Sequence, residues 1–365
     1  MTVLSADKVI IPGGVLEPGW VEVADGRILA VEPGVPARAD LHGSVIVPGF
    51  VDIHCHGGGG ASFDSADPEE CARAAAFHRE RGTTTLVASL VTAAPADLER
   101  RATVLSDLTA DGIVAGIHYE GPFLSAARKG AHDPALLRDP DPATVGRLLK
   151  VPHVRMMTIA PELEGGLDAL RRVRDAGALP AVGHTDATYE VTLDAVGAGA
   201  RVATHLFNGM RPLHHREPGP IMALLDAPEV VVELIGDGVH LHPAVVAHIS
   251  RAKGTAGATL VTDALAAAGM SDGEYELGGL DVEVREGVAR LAEGGSIAGS
   301  TATAASVFRR AVHASGLGLS EAVRLASTTP AELLGLSDRG AIAPGLRADL
   351  LVLDDDLTVL KVLTT

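Results

Sequence analysis

Two histidines separated by one residue follow an apolar segment near residue 50. Residues 50–53 precede His54 and His56, and glycines 57–60 follow them. Alternate side chains of a strand point to the same face, so these two imidazoles can converge on one metal ion. The alternative is an exposed histidine pair at the end of a strand. Further ligand-type residues at comparable positions would favour the metal site.

The elements that must position such ligands are strands and helices in alternation. Beyond Pro48, segments with strand character alternate with helical signals, which is typical of a parallel α/β sheet or barrel. The strand segments are residues 51–54, 84–88, 113–118, 154–159, 179–182, 201–204, 230–235 and 258–262. The helical segments are residues 68–81, 167–176, 189–196, 244–252, 303–314 and 320–334. Eight strands predict a TIM-like (β/α)8 barrel.

Both ends of the chain depart from this alternation of strands and helices and show short β-type segments and turns. The N-terminal segments are residues 8–11, 20–23 and 28–31, with a hairpin turn at Asp25-Gly26, and residues 348–353 form another near the C-terminus. Neither set can bury a face alone. We therefore predict a small β-sandwich domain formed by residues 1–47 and 338–365, beside a barrel domain of residues 48–337. The long loop at residues 264–299 carries two more β-type segments, 274–277 and 280–284.

Residues able to bind a metal or transfer a proton stand at five of the eight predicted strand ends. In a barrel, the groups that do chemistry come from these C-terminal ends. They are His54 and His56 after the first strand, Glu120 after the third, His184 after the fifth, His205 after the sixth and Asp263 after the eighth. Each alone is compatible with a hydrogen-bonded polar residue, but together they predict a catalytic metal centre.

The composition argues against several classes of binding partner. The net charge is -17 and the isoelectric point about 5.3, with no run of Lys or Arg, which argues against nucleic acid and anionic membranes. No apolar run reaches the length of a membrane span. Only Cys55 and Cys71 are present, too few for a disulfide framework. We predict a cytoplasmic protein.

Ordered motifs along the chain resemble the amidohydrolase superfamily of metal-dependent barrels. They are residues 48–56, 118–123, 129–132, 183–185, 204–210, 216–219, 237–240 and 261–264. Within the superfamily they look like the deacetylases of N-acetylated amino-sugar phosphates, from about residue 45 to the end. Many binuclear members use a lysine at strand four, where this chain has Ala160-Pro161-Glu162. Glu120 can supply the missing anionic ligand, as in the deacetylases.

The resemblance implies roles for the residues at the strand ends. Glu120, His184 and His205 would bind one divalent ion, and His54 and His56 would bind a second that shares Glu120, giving one or two ions per chain. Zinc is the first expectation, with iron, cobalt or manganese as alternatives. The catalytic residues would be Asp263, as the acid and base, and His132, near the carbonyl oxygen.

The resemblance also implies a small amino-sugar phosphate as substrate, with removal of the acetyl group from N-acetylglucosamine-6-phosphate. Arg216 and the backbone of Asn208 and Gly209 would hold the phosphate. The full set of implied substrate-binding residues is Ala131, Asn208, Gly209, Arg216, Asp237, Gly238, Val239, His240, Ile297, Ala298 and Gly299. A homodimer is implied in the same way. The alternatives are an amidohydrolase that opens a cyclic amide or deaminates a base, and a non-catalytic barrel used as a binding module.

Overall fold

A computed structural model describes residues 1–364. The strands are β1 (Thr2–Ile11), β2 (Gly14–Leu16), β3 (Gly19–Ala24), β4 (Arg27–Pro33), β5 (Leu41–Pro48), β6 (Phe50–Cys55), β7 (Gly57–Gly58), β8 (Ala61–Ser62), β9 (Thr83–Val91), β10 (Gly116–Glu120), β11 (Val154–Ile159), β12 (Leu179–Val182), β13 (Val202–Ala203), β14 (Val231–Ile235), β15 (Ala258–Val261), β16 (Gly273–Leu277), β17 (Leu280–Arg285), β18 (Val288–Leu291), β19 (Leu350–Leu353) and β20 (Val359–Leu363). The α-helices are α1 (Pro68–Glu80), α2 (Pro95–Ala110), α3 (Pro142–Leu148), α4 (Gly166–Asp175), α5 (Tyr189–Ala198), α6 (Gly219–Asp226), α7 (Pro243–Lys253), α8 (Ala304–His313), α9 (Leu319–Val323) and α10 (Thr329–Leu333).

Eight parallel strands form the predicted barrel. Their order in the sheet is β6, β9, β10, β11, β12, β13, β14 and β15, the order in which they occur along the chain. The ring closes where the backbone N–H of Asp263, just after β15, donates to the carbonyl oxygen of His54 in β6 at 2.9 Å. All eight predicted strands are present, so the C-terminal strand ends share one rim.

The two ends of the chain meet in one seven-stranded sheet. Its order is β20, β19, β5, β1, β3, β4, with β2 paired to β1. β5 is central to this arrangement because it pairs in parallel with β1 and antiparallel with β19. The hairpin turn at Asp25 and Gly26 has positive φ at both residues, 49° and 72°, as a two-residue hairpin of primed type requires. The domain boundaries at residues 47 and 338 stay a prediction.

The long loop after the barrel folds into a small sheet of its own. The two predicted β segments are β16 and β17, and a third strand, β18, completes an antiparallel sheet. The helices α2, α3 and α6 were not predicted from the sequence, and neither were the bounds of β20 within the β-type C-terminal region. The predicted helix at residues 320–334 contains a π-helical turn at Arg324–Thr328. Pro330, two residues beyond the end of this turn, lacks a backbone N–H, and the backbone N–H of Thr329 donates to the carbonyl of Arg324.

The largest group of buried apolar residues joins the barrel strands to the surrounding helices. Val232 and Leu234 of β14 belong to it, as do Leu98 and Leu105 of α2. Within residues 1–364, no helix combines the length and apolar character that a membrane crossing requires.

Helix α1 holds the loop that follows His56. Asp67 caps the helix by accepting a hydrogen bond from the backbone N–H of Glu69. From the other end of the helix, the buried His78 donates its Nε2–H to the carbonyl of Gly57 at 2.8 Å. A side chain at residue 58 would place its Cβ 2.5 Å from His78 Nε2, so glycine is required there. Burial lowers the pKa of His78 to about 4.

We predict that His78 makes the fold sensitive to mild acid. Its pKa is about 6.5 in the unfolded chain and about 4 in the folded one, so its contribution is complete above pH 6.5 and is lost as pH falls toward 4. At pH 5 the loss is about 2 kcal/mol. In His78→Gln this part of the pH dependence is absent, because an amide does not titrate. Urea unfolding of both proteins at pH 7.5, 6 and 5 measures it, and parallel pH profiles would contradict the prediction.

Candidate metal centre and active site

The four histidines predicted as metal ligands surround the carboxylate of Glu120 at the rim of the barrel. Glu120 Oε1 lies 2.8 Å from Nε2 of His205 and 3.2 Å from Nε2 of His184. Glu120 Oε2 lies 3.2 Å from Nε2 of His56, and His54 Nε2 is 3.6 Å from Oε1. All five residues are buried. The structure therefore brings together the ligand-type residues that the sequence analysis placed at strand ends.

The nitrogen atoms of this cluster fit a metal ion. His184 Nε2 and His205 Nε2 are 3.0 Å apart, and His54 Nε2 and His56 Nε2 are 3.1 Å apart. Two lone pairs at such distances repel each other unless a cation or a proton lies between them. His184 donates its Nδ1–H to the carbonyl of Arg128 at 2.8 Å, so its Nε2 lone pair faces the cluster. Two sets of three donors result, and both include Glu120.

The histidines of the cluster keep its two carboxylates ionised. Burial alone would raise the pKa of Glu120, but its histidine neighbours, His54 first, hold it well below the usual value. The pKa of Asp263 is lowered against burial in the same way, by His54 and His56. Burial would lower the pKa of His56, but Asp263 and Glu120 raise it to about 9. Both carboxylates are therefore ionised at neutral pH.

Three residues of the site other than glycine have a left-handed backbone. The φ angles are 46° at His184, 30° at His205 and 50° at Asp263. Residues other than glycine rarely adopt this region, and each instance costs roughly 1–3 kcal/mol. Gly209 gives His184 its space, because a Cβ at that position would lie 2.7 Å from His184 Nδ1. The left-handed backbone directs these three side chains, at the ends of their strands, toward the centre of the rim.

Asp263 and His132 flank the metal-ligand cluster. Asp263 Oδ1 lies 3.3 Å from His56 Nε2. His132 Nδ1 accepts hydrogen bonds from Thr92, at 2.8 Å from the hydroxyl and 3.4 Å from the backbone nitrogen. This leaves the ring proton on Nε2, which lies 3.5 Å from Glu120 Oε2. Burial, with His184 next, lowers the pKa of His132 to about 4, so the ring is a neutral hydrogen-bond donor.

A cavity of about 290 Å³ opens onto the cluster. Its size is near the lower end of small-molecule sites. The predicted site residues that line it are His56, Glu120, Ala131, His132, His184, His205, Asn208, Gly209, His240, Asp263, Ile297 and Gly299. The predicted residues that do not line it are His54, Arg216, Asp237, Gly238, Val239 and Ala298.

The residues outside the cavity lining have different surroundings. His54 lies behind His56, and Asp237 accepts a hydrogen bond from Nδ1 of His240 at 2.8 Å. Ala298 is fully buried. Arg216 lies on an exposed loop and donates to Nε2 of the adjacent His215 at 2.7 Å. The predicted roles of these residues stay predictions.

Two buried carboxylates near the ligands were not predicted from the sequence. Glu233 Oε2 accepts from Nδ1 of His54 at 2.9 Å, and Asp52 accepts from the hydroxyl of Thr262 at 2.6 Å. Both carboxylates are buried. A charge inside an apolar strand was the available signal, since Glu233 stands in the run Val231–Ile235. Its partner could not be read from the sequence.

The chain matches known proteins over nearly its whole length. Residues 45–364 match the model of the amidohydrolase family. The N-acetylgalactosamine-6-phosphate deacetylase of Escherichia coli O157:H7 is 35% identical, over 99% of this chain and 97% of that protein. The N-acetylglucosamine-6-phosphate deacetylase of Bacillus subtilis (strain 168) is 33% identical, over 96% and 93% respectively.

A solved structure has the same architecture. It is a mutant N-acetyl-D-glucosamine-6-phosphate deacetylase from Mycobacterium smegmatis in complex with N-acetyl-D-glucosamine-6-phosphate. The TM-score is 0.97 at 52% identity, and the match covers 100% of this chain and 97% of the other. These similarities favour a deacetylase over an enzyme acting on cyclic amides or bases, and over a non-catalytic barrel. The chain belongs to the amidohydrolase family.

Proposed function

We propose that this protein removes the acetyl group from N-acetylglucosamine-6-phosphate and produces glucosamine-6-phosphate and acetate. The observation that carries the proposal is the buried donor set of Glu120, His184 and His205, open to a cavity that also contains Asp263. Three protein ligands and an open side are typical of a catalytic rather than a structural metal site. The similarity to deacetylases of hexosamine phosphates supports the choice of substrate.

The chemistry follows from the positions of two side chains. A bound divalent ion would lower the pKa of water and polarise the acetyl carbonyl. Asp263 is ionised and takes the proton of the attacking water as the carbonyl carbon gains its new oxygen. Asp263 then returns this proton to the amide nitrogen as the C–N bond breaks, because an unprotonated amine is a poor leaving group. His132 donates its Nε2–H to the carbonyl oxygen and stabilises the charge that develops there.

The phosphate needs a cation that the cavity itself does not supply. Among residues 1–364, neither Lys nor Arg lines it. We propose Arg216 as the phosphate ligand, since a planar, permanently charged guanidinium is suited to bidentate contact with phosphate. This role requires Arg216 to approach the ligand from its exposed loop. His240, held by Asp237, faces the cavity and would contact the sugar.

We propose two ions per chain, with zinc first and iron, cobalt and manganese as alternatives. The second donor set is His54, His56 and Glu120, which shares the carboxylate with the first set. Nitrogen and carboxylate donors suit all four metals. A cytoplasmic homodimer stays a prediction. The buried, free Cys55 and Cys71 are compatible with a reducing compartment.

We predict that removing the metal abolishes activity reversibly. Dialysis against a chelator should eliminate acetate release, and returning zinc should restore it, because a bound ion would activate the water and polarise the carbonyl. Elemental analysis of protein purified without chelator should give two ions per chain. A firm value of one would refute the second site and leave the deacetylase intact.

Replacing Asp263 tests the proton transfer. Asp263→Asn should keep the fold and the metal but lower kcat by roughly 10²–10⁴-fold, because the amide cannot accept the proton. The matched control is Asp168→Asn, which removes an exposed carboxylate on α4 that pairs with Arg172. Acetate release and metal content are measured for both. Substantial turnover by Asp263→Asn would remove this residue from the mechanism.

Replacing Arg216 tests the phosphate assignment. In Arg216→Ala, KM for N-acetylglucosamine-6-phosphate should rise about 10–100-fold, the effect of one lost charge-assisted interaction. The unphosphorylated sugar should be processed by the variant and the wild type at the same rate. Losses of equal size on both sugars would show that Arg216 acts elsewhere.

The wild-type enzyme provides two further comparisons. Equal rates on the phosphorylated and unphosphorylated sugars would overturn the phosphate requirement itself. The relatives include an enzyme named for the galactose epimer, so N-acetylgalactosamine-6-phosphate belongs in the same assay. Faster turnover of that epimer would reassign the preferred sugar without changing the reaction.

A further inference from the structure

Glu233 is a fully buried carboxylate behind the metal-ligand histidines. It stands in β14 between Val232 and Leu234, which pack into the main apolar core on the opposite face of the strand. Its Oε2 accepts two hydrogen bonds, from Nδ1 of His54 at 2.9 Å and from the backbone N–H of His205 at 3.0 Å. Its Oε1 has no partner within residues 1–364.

Such a position is unfavourable unless a positive charge compensates it. Removing a carboxylate from water without a partner costs several kcal/mol. The only charged or ionisable side chain bonded to Glu233 in the described part of the chain is the imidazole of His54. On the far side of that ring, Nε2 faces His56, Glu120 and Asp263. A cation bound there would polarise the ring and offset the buried negative charge.

We propose that Glu233 is a positioning residue for the metal centre. By accepting the Nδ1–H of His54, it fixes the tautomer in which the Nε2 lone pair faces the ion. With the same oxygen it holds the backbone of His205, whose ring belongs to the other donor set. One atom, Oε2 of Glu233, therefore accepts hydrogen bonds from a ligand residue of each proposed ion. This inference rests on the proposed metal centre but not on the identity of the substrate.

The test measures ion binding and not turnover. Protein freed of metal is titrated with Co²⁺ against a competing chelator, and the visible absorption of each bound ion is recorded. In Glu233→Gln the affinity for the ion at His54 and His56 should fall about 10–100-fold, the usual effect of a lost ligand partner. The absorption bands of that ion should shift, because the orientation of a ligating ring has changed.

Two further variants separate positioning from general destabilisation. His54→Asn removes the ring through which Glu233 acts, so adding Glu233→Gln to it should cause no further loss at that site. Asp52→Asn removes another buried carboxylate charge near His54. Within residues 1–364, Oδ1 of Asp52 accepts from the backbone N–H groups of His54 and Thr262, bonds that an asparagine amide oxygen keeps, and Oδ2 accepts from the Thr262 hydroxyl. This control should leave the affinity within about threefold of the wild type, well below the 10–100-fold expected above.

Several results would overturn the proposal. They are unchanged Co²⁺ binding in Glu233→Gln, additive losses in the double variant, and an equal loss in Asp52→Asn. A wild-type protein that binds only one ion would also overturn it, while acetate release could still establish the deacetylase. Conversely, absence of deacetylase activity would contradict the proposed function, and the Co²⁺ titration would still test the role of Glu233.

Discussion

The site depends on one electrostatic constraint, which is the burial of the Glu120 carboxylate. A carboxylate in the interior is tolerated only where positive charge or strong hydrogen-bond donors surround it. Five imidazoles approach Glu120 within 4 Å, those of His54, His56, His132, His184 and His205. They come from four different places along the barrel. Closure of the barrel brings these imidazoles together, and they allow Glu120 to stay charged in the interior. The buried charge in turn makes the cluster suited to a cation.

The barrel separates this chemistry from the contacts that stabilise the fold. The apolar core lies between the strands and the helices, and the terminal sheet buries a second apolar cluster of its own. Cavity size does not identify the site, because a polar cavity of about 450 Å³, lined by residues such as Thr84 and His153, lies at the starts of strands. The convergence of buried ionisable groups identifies the opposite rim instead.

The sequence predicts the barrel and its metal ligands better than it predicts the residues that hold those ligands in place. Residues at the ends of parallel strands share a rim whatever the details of the loops, so the strand pattern alone is enough to place Glu120, His184 and His205 together. The partner of His54 is Glu233, 179 residues away, and no periodicity encodes that pairing. Arg216 illustrates a second limit, because a motif gives a residue's type and position but not the conformation of its loop.

The left-handed backbone at His184, His205 and Asp263 has an evolutionary consequence. These positions store conformational energy that asparagine or glycine would release, at the expense of the ligands and the acid–base group. His184 and His205 also surround the buried carboxylate of Glu120, so losing their imidazoles would cost more stability than the released strain returns. The strained backbone and the buried charge are therefore coupled, and a lineage can lose one without penalty only by losing the other, and with it the metal centre.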